Sequence, residues 1–395
     1  MPDIRPTMAR ARAAMAAVRR RCLRLSGAAA WRWLARAVLL AMSLALAVAS
    51  GADARDRPPF AAAVDRAIGG AIVPGYKALV AAAVAQRAAM ERLCLAPSAD
   101  ALAQARAAFA GLVGAFSRVE PYRFGPARED NRFERLFFWP DPRGRGLRQV
   151  EALLSAEDPA ATDPGSLRGK SVAVQGLPAL DIVLSGAGSD GLAVPAGGFR
   201  CRYGAAVAAA VETTAGEILA GWTAPDGFGS LMRRAGPDNP VYRSHGEAVA
   251  HLLQAGAEQL GVVADLKLAP VLGDDPASAR PRLAPFRRSD LPLVAIAGNL
   301  EGVATLASAL DLPALLPPAD RGLASELSFE LRQALAPIAA LSGDGRPLEA
   351  ILADPGSHAR LAYATAPVGG ARALLATRIP AALGLVSGFN SLDGD

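Results

Sequence analysis

Tyr122-Arg123-Phe124-Gly125-Pro126, Arg135-Leu136-Phe137-Phe138-Trp139-Pro140-Asp141-Pro142-Arg143-Gly144 and Gln175-Gly176-Leu177-Pro178-Ala179-Leu180-Asp181 are three dense strings within residues 120–202. They gather arginines, aromatics and helix-breaking prolines in a chain otherwise dominated by Ala and Leu. On either side, the Ala- and Leu-rich spacing favours helix. β-branched alternation is almost absent and aromatics make up 5% of the residues, so strand signals are poor. The chain reads as all-α.

Working outward, a first helix is expected over 60–93, interrupted at Pro74-Gly75. Ser98 or Asp100 caps a second that runs towards Arg118 and stops at the 122–126 string. Pro140 and Pro142 bracket Asp141 in a rigid turn, where Asp141 serves as a turn or cap residue. A helix over 172–184 carries Asp181, with Pro178 placed near its first turn. An apolar helix follows over 202–222, then a Pro-, Gly- and Asp-rich surface excursion over 224–240. Further helices are expected over 245–267, 291–309, 322–341 and 371–385, with a four-proline loop over 269–285. This gives two helical bundles, 58–222 and 241–395. Each half opens on a long helix, yet no repeat period is visible in the residues.

The 395 residues suffice for two domains of ordinary size, and 52% hydrophobic with 20% charged residues is a globular composition. Charge is uneven. Residues 1–54 hold nine arginines against two acids, a net of +7, which leaves the rest at −2 within the whole-chain +5. That segment reads as a secretory signal peptide: an Arg-rich start, an uncharged apolar run over 37–52, and Ala52-Asp53-Ala54 as cleavage site. A membrane anchor is the rival reading, but the run is shorter than the ~20 residues of a span. No later segment is expected to cross a bilayer. With the leader gone, nothing basic remains to suggest a nucleic-acid partner. Cys22 leaves with it, so Cys94 and Cys201 remain in an oxidising compartment. They are expected to pair, with two buried free thiols as the alternative.

The three strings, with the ending Gly388-Phe389-Asn390-Ser391-Leu392-Asp393-Gly394-Asp395, resemble the imelysin-like family of bacterial cell-envelope proteins. The family's hallmark is Gly-x-His-x-x-Glu, and the matching residues here are Gly176, Pro178 and Asp181. The histidine is missing and the acid is one carbon shorter. The resemblance implies two helical bundles related by duplication, a periplasmic location, a link to iron uptake, and a site between the bundles. It brings a divalent metal or iron as the cofactor, and a metallopeptidase activity as the chemistry once proposed for the family.

Asp181 is the sharpest candidate. It is read either as a weak hard-oxygen metal ligand in an interdomain pocket or as the partner of an arginine such as Arg123. Pro178 has no lone pair for a metal and cannot shuttle a proton. Arg123, Arg135 and Arg143 could hold an anion, or form structural ion pairs. Trp139 is a core anchor or a ligand platform. Gly176, Glu120 and Glu301, the last within Asn299-Leu300-Glu301-Gly302, complete the candidate pocket, and Asn390 and Asp393 tie down the tail. His245, His251 and His358 are read as surface or cap residues, the first two being six apart and so on different helix faces. His-Glu-x-x-His and Gly-x-Ser-x-Gly are absent. Three functions remain: a ligand- or metal-handling protein without hydrolysis, a metallopeptidase, or a structural envelope protein that binds another protein.

Overall fold

Pro58 starts a rod that decides the packing of the first half. In the computed structural model, which describes residues 58–195 and 198–385, the rod comprises α1 (Pro58–Ala67), a π-helical turn (Ile68–Ile72) and α2 (Val73–Leu95). The expected interruption at Pro74 takes this form for a physical reason. Proline has no N–H to donate to Gly70, and its ring would clash with that carbonyl, so the helix widens instead of breaking. The same solution recurs twice. π turns at Val262–Leu268 and Leu374–Arg378 precede Pro270 and Pro380, whose lost partners Leu266 and Ala376 lie inside those turns. Pro337, inside a later helix, has no such turn before it.

α3 (Ala99–Val119) begins at Ser98, whose side chain accepts from the Ala101 N–H at 3.1 Å. α4 (Arg145–Ala156), α5 (Gly176–Ser185) and α6 (Gly198–Thr223) complete the first half. α6 packs along α2, and Cys201 near its start is disulfide-bonded to Cys94 near the end of α2. The second half contains α7 (His245–Gly261), α8 (Pro292–Leu310), α9 (Gly322–Ser342) and α10 (Thr365–Ala373). Ser244 caps α7 by accepting from the Glu247 N–H at 3.2 Å. No strand occurs among the described residues, and the fold is all-α.

The described residues form one compact unit, and helices early and late in the chain pack on each other, α3 on α8 and α1 on α7 and α8. The α3–α8 crossing is unusually close. A Cβ on Gly298 would lie 2.8 Å from the Ser117 Cβ, and one on Gly302 2.3 Å from the Arg118 carbonyl oxygen. Only glycine permits that approach.

Several expectations need correction. The last long helix starts at Thr365, six residues early, because Gly369-Gly370 does not break it; Gly370 instead lets it approach Glu330 of α9. Residues 224–240 contain a short helix, Phe228–Arg233, with Met232 buried. Two short helices, Leu348–Ala353 and Pro355–Tyr363, were not foreseen. Two helices, Pro59–Leu95 and Pro292–Leu310, are long and apolar enough to span a bilayer, contrary to the expectation that none would be. In α8 much of that composition belongs to a face buried within the bundle, with Ala295, Ile296, Leu300 and Val303, and 56% of its apolar window is buried against 39% in the first rod. The leader and its cleavage site, Asn390 and Asp393 lie outside the described residues.

Candidate functional site

The 137–142 string runs irregularly because Pro140 and Pro142 deny it helical bonds. Asp141 then restarts the chain, its Oδ2 accepting from the Gly146 N–H of α4 at 2.7 Å. Trp139 is left half-buried and stacked on Phe137, with ring centroids 5.7 Å apart, and Phe137 stacks in turn on Phe286 at 5.2 Å. Facing Trp139 is the first turn of α5. Gly176 opens that helix at φ 73°, with its Cα so close to the chain that a Cβ would sit 2.4 Å from the carbonyl oxygens of Arg135 and Leu136. Pro178, half-buried, and Asp181, buried, follow three residues apart on the face that lines the cleft. The second half closes the cleft with residues 282–288. The cavity measures about 440 Å³, with Trp139, Asp141, Pro178, Asp181, Arg282, Arg287 and Arg288 among its walls.

Asp181 is 3% exposed. Its Oδ1 accepts from the Ser289 N–H at 3.0 Å and the Ser289 hydroxyl at 2.7 Å, and Arg288 lies 3.6 Å from Oδ2. With its proton given to Asp181, the Ser289 hydroxyl can accept from the Ser185 hydroxyl 3.1 Å away. Burial pushes the carboxyl above its usual range, against the pull of Ser289 and Arg288. A raised acid contributes stability below the unfolded carboxylate range, and that contribution is lost as pH rises. Asp181→Asn should therefore gain on the wild type in melting temperature as pH climbs from about 4 towards neutrality. A difference that stays flat across that range would contradict the burial effect.

Beneath the aromatic floor lies a second polar cluster. Lys267, Glu120 and Asn299 are respectively 1%, 2% and 0% exposed. The Lys267 ammonium donates to Glu120 Oε2 at 2.6 Å and Asn299 Oδ1 at 2.7 Å, and lies 5.6 and 5.8 Å from the ring centres of Phe137 and Trp139. Asn299 donates to the Ser117 carbonyl and to Glu120 Oε2, both at 2.8 Å. Burial pushes Lys267 down, partly offset by Glu120. Burial alone would raise Glu120, but Lys267 and Arg123 outweigh it and hold the carboxyl low. The cluster joins α3, α8 and the π turn after α7, which makes it a clamp between the halves.

Of the candidate pocket residues, the structure brings Trp139 and Asp181 into one cleft. Arg123 is not the partner of Asp181. It donates to Gln259, lies 3.8 Å from Glu120 and covers the Phe133 ring. Glu301 is paired with Arg118 at 2.6 Å, flanking the α3–α8 crossing. Gly176 acts through its backbone. Arg135 donates to the carbonyls of Asp130 and Arg168, and Arg143 is exposed outside the cleft. His245 and His251 bond to the Arg233 carbonyl and the Tyr242 hydroxyl. His358 is buried, not at the surface, and bonds to the Leu272 carbonyl. Sequence reasoning passed over Arg282, Arg287, Arg288, Ser289 and, as a site residue, Lys267. One signal was available: Lys267 is one of three lysines in an arginine-rich chain and sits in an apolar run.

The cleft residues do not fit a divalent metal or iron ion. Its two carboxylates, Asp141 and Asp181, are both engaged by protein N–H or O–H donors, and three arginines share the walls. Among the described residues no group of three or more His, Cys, Asp or Glu side chains could hold a metal. A larger groove of about 590 Å³ between α8 and α9 is lined mainly by Leu, Ala and Ser and has no convergent polar set.

An all-helical fold with a cleft lined by residues from early and late in the chain defines the class, and the comparisons specify it. The imelysin family profile matches residues 72–374, and the chain belongs to the imelysin family. An imelysin-like protein from Psychrobacter arcticum 273-4 superposes with TM-score 0.67 at 19% identity, covering 84% of this chain and 97% of its own. An iron-regulated protein A precursor from Parabacteroides distasonis ATCC 8503 gives TM-score 0.65 at 16% identity, covering 80% and 94%. At these identities the likeness is one of fold. No curated protein matches the chain.

Proposed function

We propose that this imelysin-family protein is an exported ligand-handling protein that carries out no hydrolysis, and that the cleft between Trp139 and Asp181 is its ligand seat. One observation carries the reading. Where the family motif places an imidazole, the cleft has Pro178, and Asp181 is already bonded to Ser289 and Arg288. A metallopeptidase needs a metal-held water and a free general base, and this turn of α5 offers neither. Export to the periplasm is supported by the leader-like residues 1–54, and an association with iron uptake by the Parabacteroides neighbour described as iron-regulated.

The test uses the mature chain from residue 55, purified from its native envelope. Bound small molecules are identified by mass spectrometry, and the recovered compound is titrated against wild type and Trp139→Ala. The expected result is a small ligand whose affinity falls about tenfold or more when the aromatic wall is removed. Chelator-sensitive cleavage of casein, abolished in Asp181→Ala, would reinstate the peptidase. A co-purifying envelope protein with no small ligand would reassign the chain to structural interaction.

A further inference from the structure

The cleft carries more positive charge than its own acids neutralise. Two carboxylates face three arginines: Asp181 is paired with Arg288 and bonded to Ser289, while Asp141, which accepts from the Gly146 N–H, keeps its charge but has no arginine at ion-pair distance among the described residues. Lys267 behind the floor is neutralised by Glu120. Arg282 and Arg287 are left over, with no carboxylate at ion-pair distance among the described residues.

Arg287 stands apart from the other half-buried arginines. Arg132 and Arg168 share Glu217, Arg87 has Glu212, Arg372 has Asp265, Arg106 and Arg200 donate to backbone carbonyls, and Arg123 to Gln259. Arg287 is equally enclosed and has no hydrogen-bonded or ion-paired partner in the described structure. Burial, with Arg288 and Arg282 alongside, pushes its guanidinium below the usual value in spite of the more distant Asp181 and Glu349. A desolvated cation without a counter-charge is unfavourable unless something brings that charge.

The backbone that presents it is strained. Phe286 at φ 55° and Asp290 at φ 54° bracket the turn of residues 287–289 in the left-handed region. Each such residue costs on the order of 1–2 kcal/mol. Phe286 is held there by its stack on Phe137 and its edge contact with Phe109. The strain fixes where Arg287, Arg288 and Ser289 point, the pattern expected where a turn serves a ligand.

We propose that Arg287, assisted by Arg282, binds the carboxylate or phosphate group of a small organic anion whose flat or apolar body lies against Trp139. This rests on the cleft being the ligand seat, and it names the ligand's chemical class. An arginine fork matches either oxyanion, and the half-buried indole supplies the apolar contact.

Calorimetry on the mature chain decides it, with phthalate as aromatic carboxylate, phenyl phosphate as aromatic phosphate, benzamide as neutral probe and benzylamine as cation. At least one anion should bind and benzylamine should not. Arg287→Ala should weaken the anion about tenfold or more, and the exposed Arg282→Gln should weaken it less. Whichever anion binds more tightly identifies the oxyanion. Near-ultraviolet circular dichroism confirms that each variant is folded, and Arg282→Gln stands in should Arg287→Ala fail to fold. Two results overturn the proposal: anion binding indifferent to both substitutions, or benzylamine binding more tightly than either anion. If benzamide or benzylamine binds and Trp139→Ala abolishes it while Arg287→Ala does not, the cleft remains the seat and only the anion assignment fails. If nothing binds, or Trp139→Ala has no effect on what does, both fail.

Discussion

Lys267→Met is expected to lower the unfolding free energy by about 3–5 kcal/mol, because it leaves the Glu120 carboxylate buried without its cation. Glu120 is 2% exposed, and with Lys267 gone its remaining partners are Asn299 at 2.8 Å and Arg123 at 3.8 Å. One amide hydrogen bond and one loose ion pair do not replace an ammonium at 2.6 Å. The double variant Lys267→Met/Glu120→Leu removes both charges and should recover a large part of the loss, since a buried pair replaced by apolar groups is often near neutral. Urea unfolding followed by circular dichroism measures both variants. Equal destabilisation of the single and double variants would show that the cluster does not act as a charge pair.

Gly302→Ala should be the other severe change, losing about 3 kcal/mol or more. A Cβ there would stand 2.3 Å from the Arg118 carbonyl, a backbone atom that cannot swing away. The two helices would have to separate, and Asn299, three residues earlier on α8, would be drawn from Ser117 and Glu120. Gly111→Ala is the matched control. It lies on α3 with nothing within 4 Å of its built Cβ, so the ordinary helix gain of about 0.5–1 kcal/mol should appear. If both substitutions stabilise, the close crossing is not a constraint.

The helices were legible because their signals are local. Ser98 caps α3 as its residue type suggests, Pro74 marks the irregular turn of the first rod, and Pro178 falls in the first turn of α5. The site was legible only on one side. Trp139 and Asp181 stand out in a string rich in prolines and aromatics. Their partners come from residues more than a hundred positions later, Ser289 against Asp181 and Lys267 beneath Trp139. In a chain this rich in arginine, Arg287 and Arg288 are two among many until the left-handed residues beside them and the lack of a carboxylate beside Arg287 are seen. The sequence offered Arg123 as one possible counter-charge for Asp181, whereas the fold places Arg123 against Gln259 and Glu120.

The bond between Cys94 and Cys201 has a topological consequence. The segment it closes contains Trp139, Pro178 and Asp181, whereas Arg282, Arg287 and Arg288 lie outside it. The cleft thus opens between a macrocycle and a linear segment that is covalently joined to it only through residues 202–281. A single protease cut in the largely exposed stretch 233–241 would place the two jaws on separate polypeptides. The proposed ligand seat would then be the interface of a reconstituted heterodimer, and any affinity measured there would report fragment complementation.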